Sequence, residues 1–265
     1  MYNSLQLALS YLRYYATAAN GKGHGIHSPF VYDFVRKVLM DKTVYPAYTK
    51  VEKLRRQLLT DKTVLNIEDL GAGSSLRSSA KRSVSSIARN AAKPAKYGQL
   101  LFRMIRHYQP GCCIEIGSSL GLTSSYLALA DPRMKVVTME GAREVAARAV
   151  QNFGALGLSN IELVEGNFDD TLVPLLTRLA PVDFAFIDGN HRMQPTMQYF
   201  DAIISRINNS SILVLDDIHW SPGMEKAWEY CKSHPSVTLS IDLFFIGILV
   251  FKKEILEKQQ FIIRF

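Results

Sequence analysis

The sequence predicts an α/β protein: a doubly wound, mostly parallel seven-stranded sheet with an antiparallel C-terminal hairpin, preceded by an N-terminal helical segment. Three observations predict it. From residue 96 onward, short apolar runs alternate with stretches of helical periodicity, the pattern of a parallel sheet wrapped by helices. One run, Cys112-Cys113-Ile114, enters the turn Glu115-Ile116-Gly117-Ser118-Ser119-Leu120-Gly121, which opens directly into a helical stretch from Leu122 to Ala130. Two late apolar runs, 237–244 and 246–252, are separated by too few residues for a crossover helix, so they must pair as a hairpin.

Taken in order, residues 1–95 read as helices separated by turn signals, a cap or linker segment before a ligand-binding domain at 96–265. After Ser28-Pro29, an N-cap followed by proline at the first helical position, Phe30, Val31, Phe34, Val35 and Val38 recur on one helix face. A second glycine turn, Asp69-Leu70-Gly71-Ala72-Gly73, imitates a ligand loop after a strand-like Val64–Ile67, but no strand ending in an acid follows at the right distance. The strands expected in the domain are 112–117, 135–140, 161–165, 182–188, 211–216, 237–244 and 246–252. Helical patterns lie between the first five, including Phe200, Ile203, Ile204 and Ile207; Met224, Ala227, Trp228 and Cys231 follow the fifth.

Composition narrows the setting. A chain of 265 residues with 48% hydrophobic content can bury one large α/β core. Three cysteines, two adjacent in a strand, make neither a disulfide framework nor a C-x-x-C metal pattern, which fits a reducing, cytoplasmic compartment. Arg13 interrupts the apolar N-terminus, which reads as a helix rather than a signal peptide, and the run Leu243–Phe251 is too short to span a membrane. The net charge of +7 concentrates in 71–98, where Arg77, Lys81, Arg82, Arg89, Lys93 and Lys96 meet no acid. No aromatic residue interleaves these charges to stack on bases, so the segment reads as a solvated face rather than a nucleic-acid surface.

The glycine turn carries the chemistry. Open α/β sheets bind ligands at such strand-to-helix junctions, where glycine permits a tight turn and the following helix directs N–H groups into the crevice. About 25 residues on, Val136-Val137-Thr138-Met139 ends at Glu140, an acid placed to accept the hydroxyls of a ribose. An adenosine-containing cofactor is therefore expected. A dinucleotide fingerprint needs glycine where Ser119 stands, so the nicotinamide reading is the weaker one. The spacing is instead an acid, one apolar residue, then G-x-x-x-G. Over roughly residues 96 to 252 the chain thus resembles the class I S-adenosylmethionine-dependent methyltransferases. From Tyr97-Gly98-Gln99-Leu100-Leu101 through Glu115-Ile116-Gly117 it is most similar to the catechol and caffeoyl-CoA O-methyltransferases.

That resemblance assigns the cofactor S-adenosyl-L-methionine to Glu115, Gly117, Ser118, Ser119 and Gly121 of the turn, with Glu140 and Gly141 after the second strand. It places Asn167 and Phe168, after the third strand, at the adenine, and counts Asp188 among the cofactor residues too; a simple turn is the alternative for Gly166–Asp169. The fourth strand ends in Phe186-Ile187-Asp188-Gly189-Asn190-His191 and the fifth in Leu215-Asp216-Asp217-Ile218-His219-Trp220. Parallel strands bring their C-terminal ends to one edge, so Asp188, Asp216 and Asp217 can converge, and three carboxylates together call for a cation. Hard oxygen ligands suit Mg2+, Mn2+ or Ca2+. The alternative is that the acids cap loops, and Asp216 and Asp217 point different ways on an extended chain, so one of them can be structural. The catechol-type enzymes carry Asp-Asn where Asp216-Asp217 stands; the Asp-Asp pair is shared with the macrocin-type sugar O-methyltransferases.

His191 occupies the position of a catalytic base in those relatives, a lysine in the catechol type and a histidine in the macrocin type, and its ordinary pKa suits proton removal from a hydroxyl. His219 is the reserve. His24, His27 and Tyr32 sit in a compact loop that either closes over a substrate or simply enters a helix. The expected function is transfer of a methyl group to a hydroxyl of a small-molecule acceptor, assisted by a divalent cation. The partners expected are that acceptor, with no membrane and no nucleic acid, and a homodimer is left open. The rivals are an RNA or protein methyltransferase and a non-catalytic cofactor-binding protein. The first lacks an Asn-Pro-Pro, Asp-Pro-Pro or Pro-Cys reaction motif; cofactor binding without turnover would mark the second.

Overall fold

The structure is a computed structural model that describes residues 2–19, 21, 27–68 and 79–265. Its elements run α1 (Ser4–Thr17), α2 (Pro29–Phe34) continued by a π-helical turn at Val35–Leu39, α3 (Pro46–Thr60), β1 (Val64–Glu68), β2 (Ser79–Ser83), α4 (Val84–Asn90) and α5 (Ala95–Tyr108). Strand and helix then alternate: β3 (Cys112–Ile116), α6 (Leu122–Ala130), β4 (Lys135–Glu140), α7 (Arg143–Ala155), β5 (Ile161–Glu165), α8 (Phe168–Arg178), β6 (Val182–Ile187), α9 (Met193–Ile204), β7 (Ile207–Asp216) and α10 (Pro222–Ser233). Three strands end the chain: β8 (Leu239–Asp242), β9 (Ile246–Val250) and β10 (Gln259–Ile262). The main sheet has eight strands in the order β10-β8-β9-β7-β6-β3-β4-β5.

Two compact units divide the chain. In the unit Lys42–Leu175, β3 pairs parallel with β4, and β4 with β5. Every residue of β3 is buried, which is why it reads as an unbroken apolar run apart from Glu115. The five residues of β1 pair antiparallel with β2 in a small separate sheet, tied to α7 where Asn66 donates from its backbone N–H and side-chain amide to the Glu144 carboxylate, at 2.7 and 2.6 Å. The reading of 1–95 as helices therefore holds for α1 to α4, the strand-like Val64–Ile67 falls in β1, and β2 is the element it misses. The glycine turn 69–73, His24 and Arg77 lie outside the described residues.

In the other unit, which runs to Asp41 and resumes at Leu176, β6 pairs parallel with β7, while β9 is antiparallel to both β7 and β8, giving the expected C-terminal hairpin. Two features differ from the sequence reading. β7 begins at Ile207, which the helical pattern had claimed, rather than at 211, because α9 ends at Ile204 and the polar run Asn208-Asn209-Ser210 is held by hydrogen bonds: Asn208 to Asp183 at 2.7 Å and Asn209 to Glu254 at 2.9 Å. An eighth strand, β10, pairs parallel with β8 and mixes Gln259 and Gln260 with Phe261 and Ile262, so no apolar run announces it. α1 starts with a reciprocal capping box between Asn3 and Gln6 and packs Tyr14 on Phe244. No described helix is long and apolar enough to cross a membrane.

Candidate active site

In the Lys42–Leu175 unit the turn after β3 is built as a left-handed loop: Gly117, Ser119 and Gly121 have φ of 98°, 47° and 78°. The N–H groups of Gly117 and Ser118 both donate to the Met139 carbonyl, at 3.0 and 2.9 Å. That of Ser119 donates to Glu140 Oε2 at 2.8 Å, and Ala142 N–H donates to Oε1 at 2.9 Å. The end of β4 thus clamps the turn. The N–H groups of Gly117, Ser118 and Ser119 are used inside the protein rather than directed at a ligand, the first two on a backbone carbonyl and the third on a carboxylate. Burial raises the Glu140 pKa, opposed by the N–H groups of Ala142, Ser119 and Gly141.

Glu115 is fully buried and accepts the hydroxyls of Ser124 and of Thr138, the latter at 2.6 Å, so it ties β3 to α6 and β4. Burial pushes its pKa up to about 7 against those two hydrogen bonds. Gly121 is needed for packing: a Cβ there would stand 2.4 Å from the Phe153 ring. Asn167 caps α8, its Oδ1 accepting from Asp169 N–H at 3.2 Å, and Phe168 is the half-buried first residue of that helix.

These residues fit the expected cofactor on two counts. Ser118 is 3% exposed and its hydroxyl oxygen has no hydrogen-bond partner, an orphaned polar atom at the turn. Each Glu140 oxygen accepts one N–H in the bonds above and keeps lone-pair capacity for a ribose hydroxyl.

The acidic cluster lies in the other unit. The register of β6 on β7 sets Ile187 against Leu215, so the next residues, Asp188 and Asp216, leave adjacent strands side by side. One donor atom from each of Asp188, His191 and Asp216 lies within 4.8 Å of the other two. His191 Nε2 is 3.4 Å from Asp188 Oδ1, and its Nδ1 is 3.9 Å from Asp217 Oδ2. Asp216 is 1% exposed. Asp217 takes a left-handed backbone, φ 53°, and stands beside His191 rather than within the three-residue group. Two carboxylates and an imidazole form a donor set that suits a divalent cation.

His219 is engaged elsewhere. Its Nε2 lies 2.7 Å from Asp242 Oδ2 and its Nδ1 3.3 Å from Glu225 Oε1, and the ring stacks on Phe244. Burial works against its charged form, but the two carboxylates outweigh it and its pKa is raised. Glu225 also accepts the Tyr2 hydroxyl at 2.7 Å, so this chain of groups fastens the N-terminus. The sequence reading named neither partner, Asp242 lying 23 residues from His219 and Glu225 six. His27 is exposed and Tyr32 is 50% exposed on α2. Of the basic segment, Lys81 and Arg82 lie on β2, Arg89 in α4, and Lys96 at the entry to α5 with its ammonium 4.7 Å from the Tyr97 ring centroid.

Residues 114–218 match the family model described as a methyltransferase domain. A 74-residue stretch is 31% identical to the uncharacterized protein R132 of Acanthamoeba polyphaga mimivirus, covering 26% of this chain and only 34% of that protein. The O-methyltransferase TomG from Streptomyces achromogenes, involved in tomaymycin synthesis and solved with S-adenosylmethionine, is 18% identical with a TM-score of 0.57, covering 82% of this chain and 95% of TomG. The Podospora anserina methyltransferase PaMTH1, bound to S-adenosylhomocysteine, is 13% identical with a TM-score of 0.58, over 95% and 97% of the two chains. An O-methyltransferase from Bacillus cereus, with the same ligand, is 18% identical with a TM-score of 0.55, over 83% and 97%. Residues 114–218 thus match a methyltransferase domain, and the chain shares the fold of these methyltransferases solved with S-adenosylmethionine or S-adenosylhomocysteine.

Proposed function

We propose that this protein is an S-adenosylmethionine-dependent O-methyltransferase whose acceptor is a hydroxyl group of a small molecule. The observation that carries the reading is the meeting of Asp188, His191 and Asp216 at the ends of two adjacent parallel strands in a chain that also holds the clamped glycine turn. Glu140 accepts the ribose hydroxyls, the turn from Gly117 to Gly121 holds the sulfonium end of the cofactor, and Asn167 and Phe168 border the adenine. Acceptor choice falls to the helices of residues 1–95, ahead of the transferase domain at 96–265.

The acceptor oxygen attacks the methyl carbon in line as the carbon–sulfur bond breaks, and the bonding pair returns to sulfur, leaving a neutral thioether. The proton of the hydroxyl passes to His191, whose Nε2 lies 3.4 Å from Asp188 and whose Nδ1 lies 3.9 Å from Asp217. A magnesium-class ion held by Asp188 and Asp216, with Asp217 beside them, would supply a lowered hydroxyl pKa and a fixed orientation. Because a leaving sulfonium needs no activation, most of the residues' work is positioning.

A second reading of His191 is favoured by its place within the 4.8 Å group: as a third ligand it would turn the site toward manganese or another nitrogen-accepting ion, and the hydroxyl would lose its proton to water. Manganese resonance separates the two. Asp216→Asn should abolish manganese binding under both readings, whereas His191→Ala should leave it intact only if His191 is the base. No binding below millimolar manganese, with cofactor present, would remove the ion from the mechanism. Methyl transfer from labelled cofactor to a panel of phenols, catechols and sugars tests the reaction itself; a wild-type rate in His191→Ala would overturn the base assignment. The three buried free thiols, Cys112, Cys113 and Cys231, accord with a cytoplasmic setting.

A further inference from the structure

The ring of His191 is aimed at Asp188 without a short hydrogen bond to hold it there. Its distances to Asp188 and Asp217 are 3.4 and 3.9 Å, and the side chain is about one-third exposed. An imidazole one-third exposed, with contacts this long, takes its direction from the backbone that carries it.

That backbone is the loop from Asp188 to Arg192, between the end of β6 and the start of α9. Asn190, directly before His191, has φ of 67°. This left-handed conformation is strained for an ordinary side chain and is best tolerated, glycine aside, by Asn and Asp. The Asn190 amide is used at both ends. Its Nδ2 donates to the Tyr199 hydroxyl at 3.1 Å, and its Oδ1 accepts from Arg192 Nε at 2.7 Å. Tyr199 is only 2% exposed, inside α9, so the amide anchors the reversal of the loop to a rigid element. α9 itself has no side-chain cap at its N-terminus, and the Asn190 bridge ties the loop's turning point to the helix.

We propose that Asn190 is a positioning residue for His191: its left-handed backbone and its amide, bridged between Tyr199 and Arg192, set the direction in which the imidazole faces Asp188. The proposal rests on the reading that His191 acts at the acceptor site, but the orientation itself exists whether His191 serves as base or as ligand.

The test is imidazole NMR on the full chain with labelled histidine, with His191→Ala to assign the resonance. Asn190→Gly keeps the left-handed backbone and removes the amide; the His191 ring signal should move toward the position of an exposed, freely rotating histidine. Asn190→Asp retains an acceptor for Arg192 and can accept the Tyr199 hydroxyl, so the signal should return toward its wild-type position. Tyr199→Phe, which keeps the buried ring, should shift it in the same direction as Asn190→Gly but by less. A residue that merely stabilises the loop would lower the melting temperature and leave the His191 signal in place, and that outcome in Asn190→Gly or, if that variant does not fold, in Tyr199→Phe would overturn the proposal. On any acceptor that turns over, Asn190→Gly should lower kcat on the order of tenfold to a hundredfold with KM for S-adenosylmethionine unchanged. Normal turnover in His191→Ala would defeat the base reading and leave the NMR result standing, so the two failures are distinguishable.

Discussion

His219 Nε2 lies 2.7 Å from the Asp242 carboxylate, joining the loop after β7 to the end of β8. The same ring faces Glu225, which in turn accepts the Tyr2 hydroxyl, and Asp242 uses its other oxygen to accept Phe244 N–H at 2.7 Å. Asp242 is 8% exposed, so an uncharged replacement leaves the histidine and the turn short of an acceptor.

Asp242→Asn should therefore destabilise the protein by about 1–3 kcal/mol, the usual cost of weakening a buried charge-assisted pair. Cofactor affinity should not change, since none of these groups belongs to the turn after β3. Chemical denaturation and calorimetry on the same variant check both halves. A large loss of affinity with unchanged stability would contradict the structural role given to His219.

Glu115 sets a pH dependence of the opposite kind from an ordinary paired acid. Burial raises its pKa from 4.5 in the unfolded chain to about 7 in the folded one, so the native state binds the extra proton between these values. Stability from this group then falls as pH rises through that window, by an amount on the order of 3 kcal/mol, and levels off above it. Glu115→Gln mimics the protonated form. The difference between wild type and this variant in unfolding free energy should change between pH 5 and pH 8, and a constant difference would show that Glu115 is ionised throughout.

Gly121 combines φ of 78° with a Cβ position 2.4 Å from the Phe153 ring and 3.3 Å from Ala149 Cβ. Gly121→Ala should cost roughly 2–4 kcal/mol from backbone strain and overpacking together. Pairing it with Phe153→Leu should recover part of the loss, because the steric share disappears while the strain remains. Strict additivity of the two substitutions would argue that the ring and the turn are not in contact.

The clamped glycine turn was legible because local signals coincide there. The buried run of β3, the glycines at 117 and 121 and the acid ending β4 lie close in sequence and obey one spacing. The strands β3 to β9 announced themselves by apolar runs or by the short gap of a hairpin. β10 did not, since Gln259 and Gln260 interrupt its alternation, and β2, the partner of the strand-like Val64–Ile67, hid within charged residues such as Lys81 and Arg82. The acidic group was half legible. Strand ends named Asp188 and Asp216, but only the β6–β7 register and the left-handed Asp217 show why His191 joins them and Asp217 stands aside. The partners of His219 come from elements apart in sequence, where spacing carries no information.

The account stands or falls on Glu140, which both clamps the turn through Ser119 and is assigned the ribose. Titration calorimetry with S-adenosylmethionine on wild type, Glu140→Gln and Glu140→Ala measures this directly. Wild type should bind, and Glu140→Ala should weaken binding by about 1–3 kcal/mol, with Glu140→Gln in between because it keeps an acceptor oxygen without the charge. Equal affinity in all three, or no binding by the wild type at millimolar cofactor, would contradict the placement of an S-adenosylmethionine site at this turn.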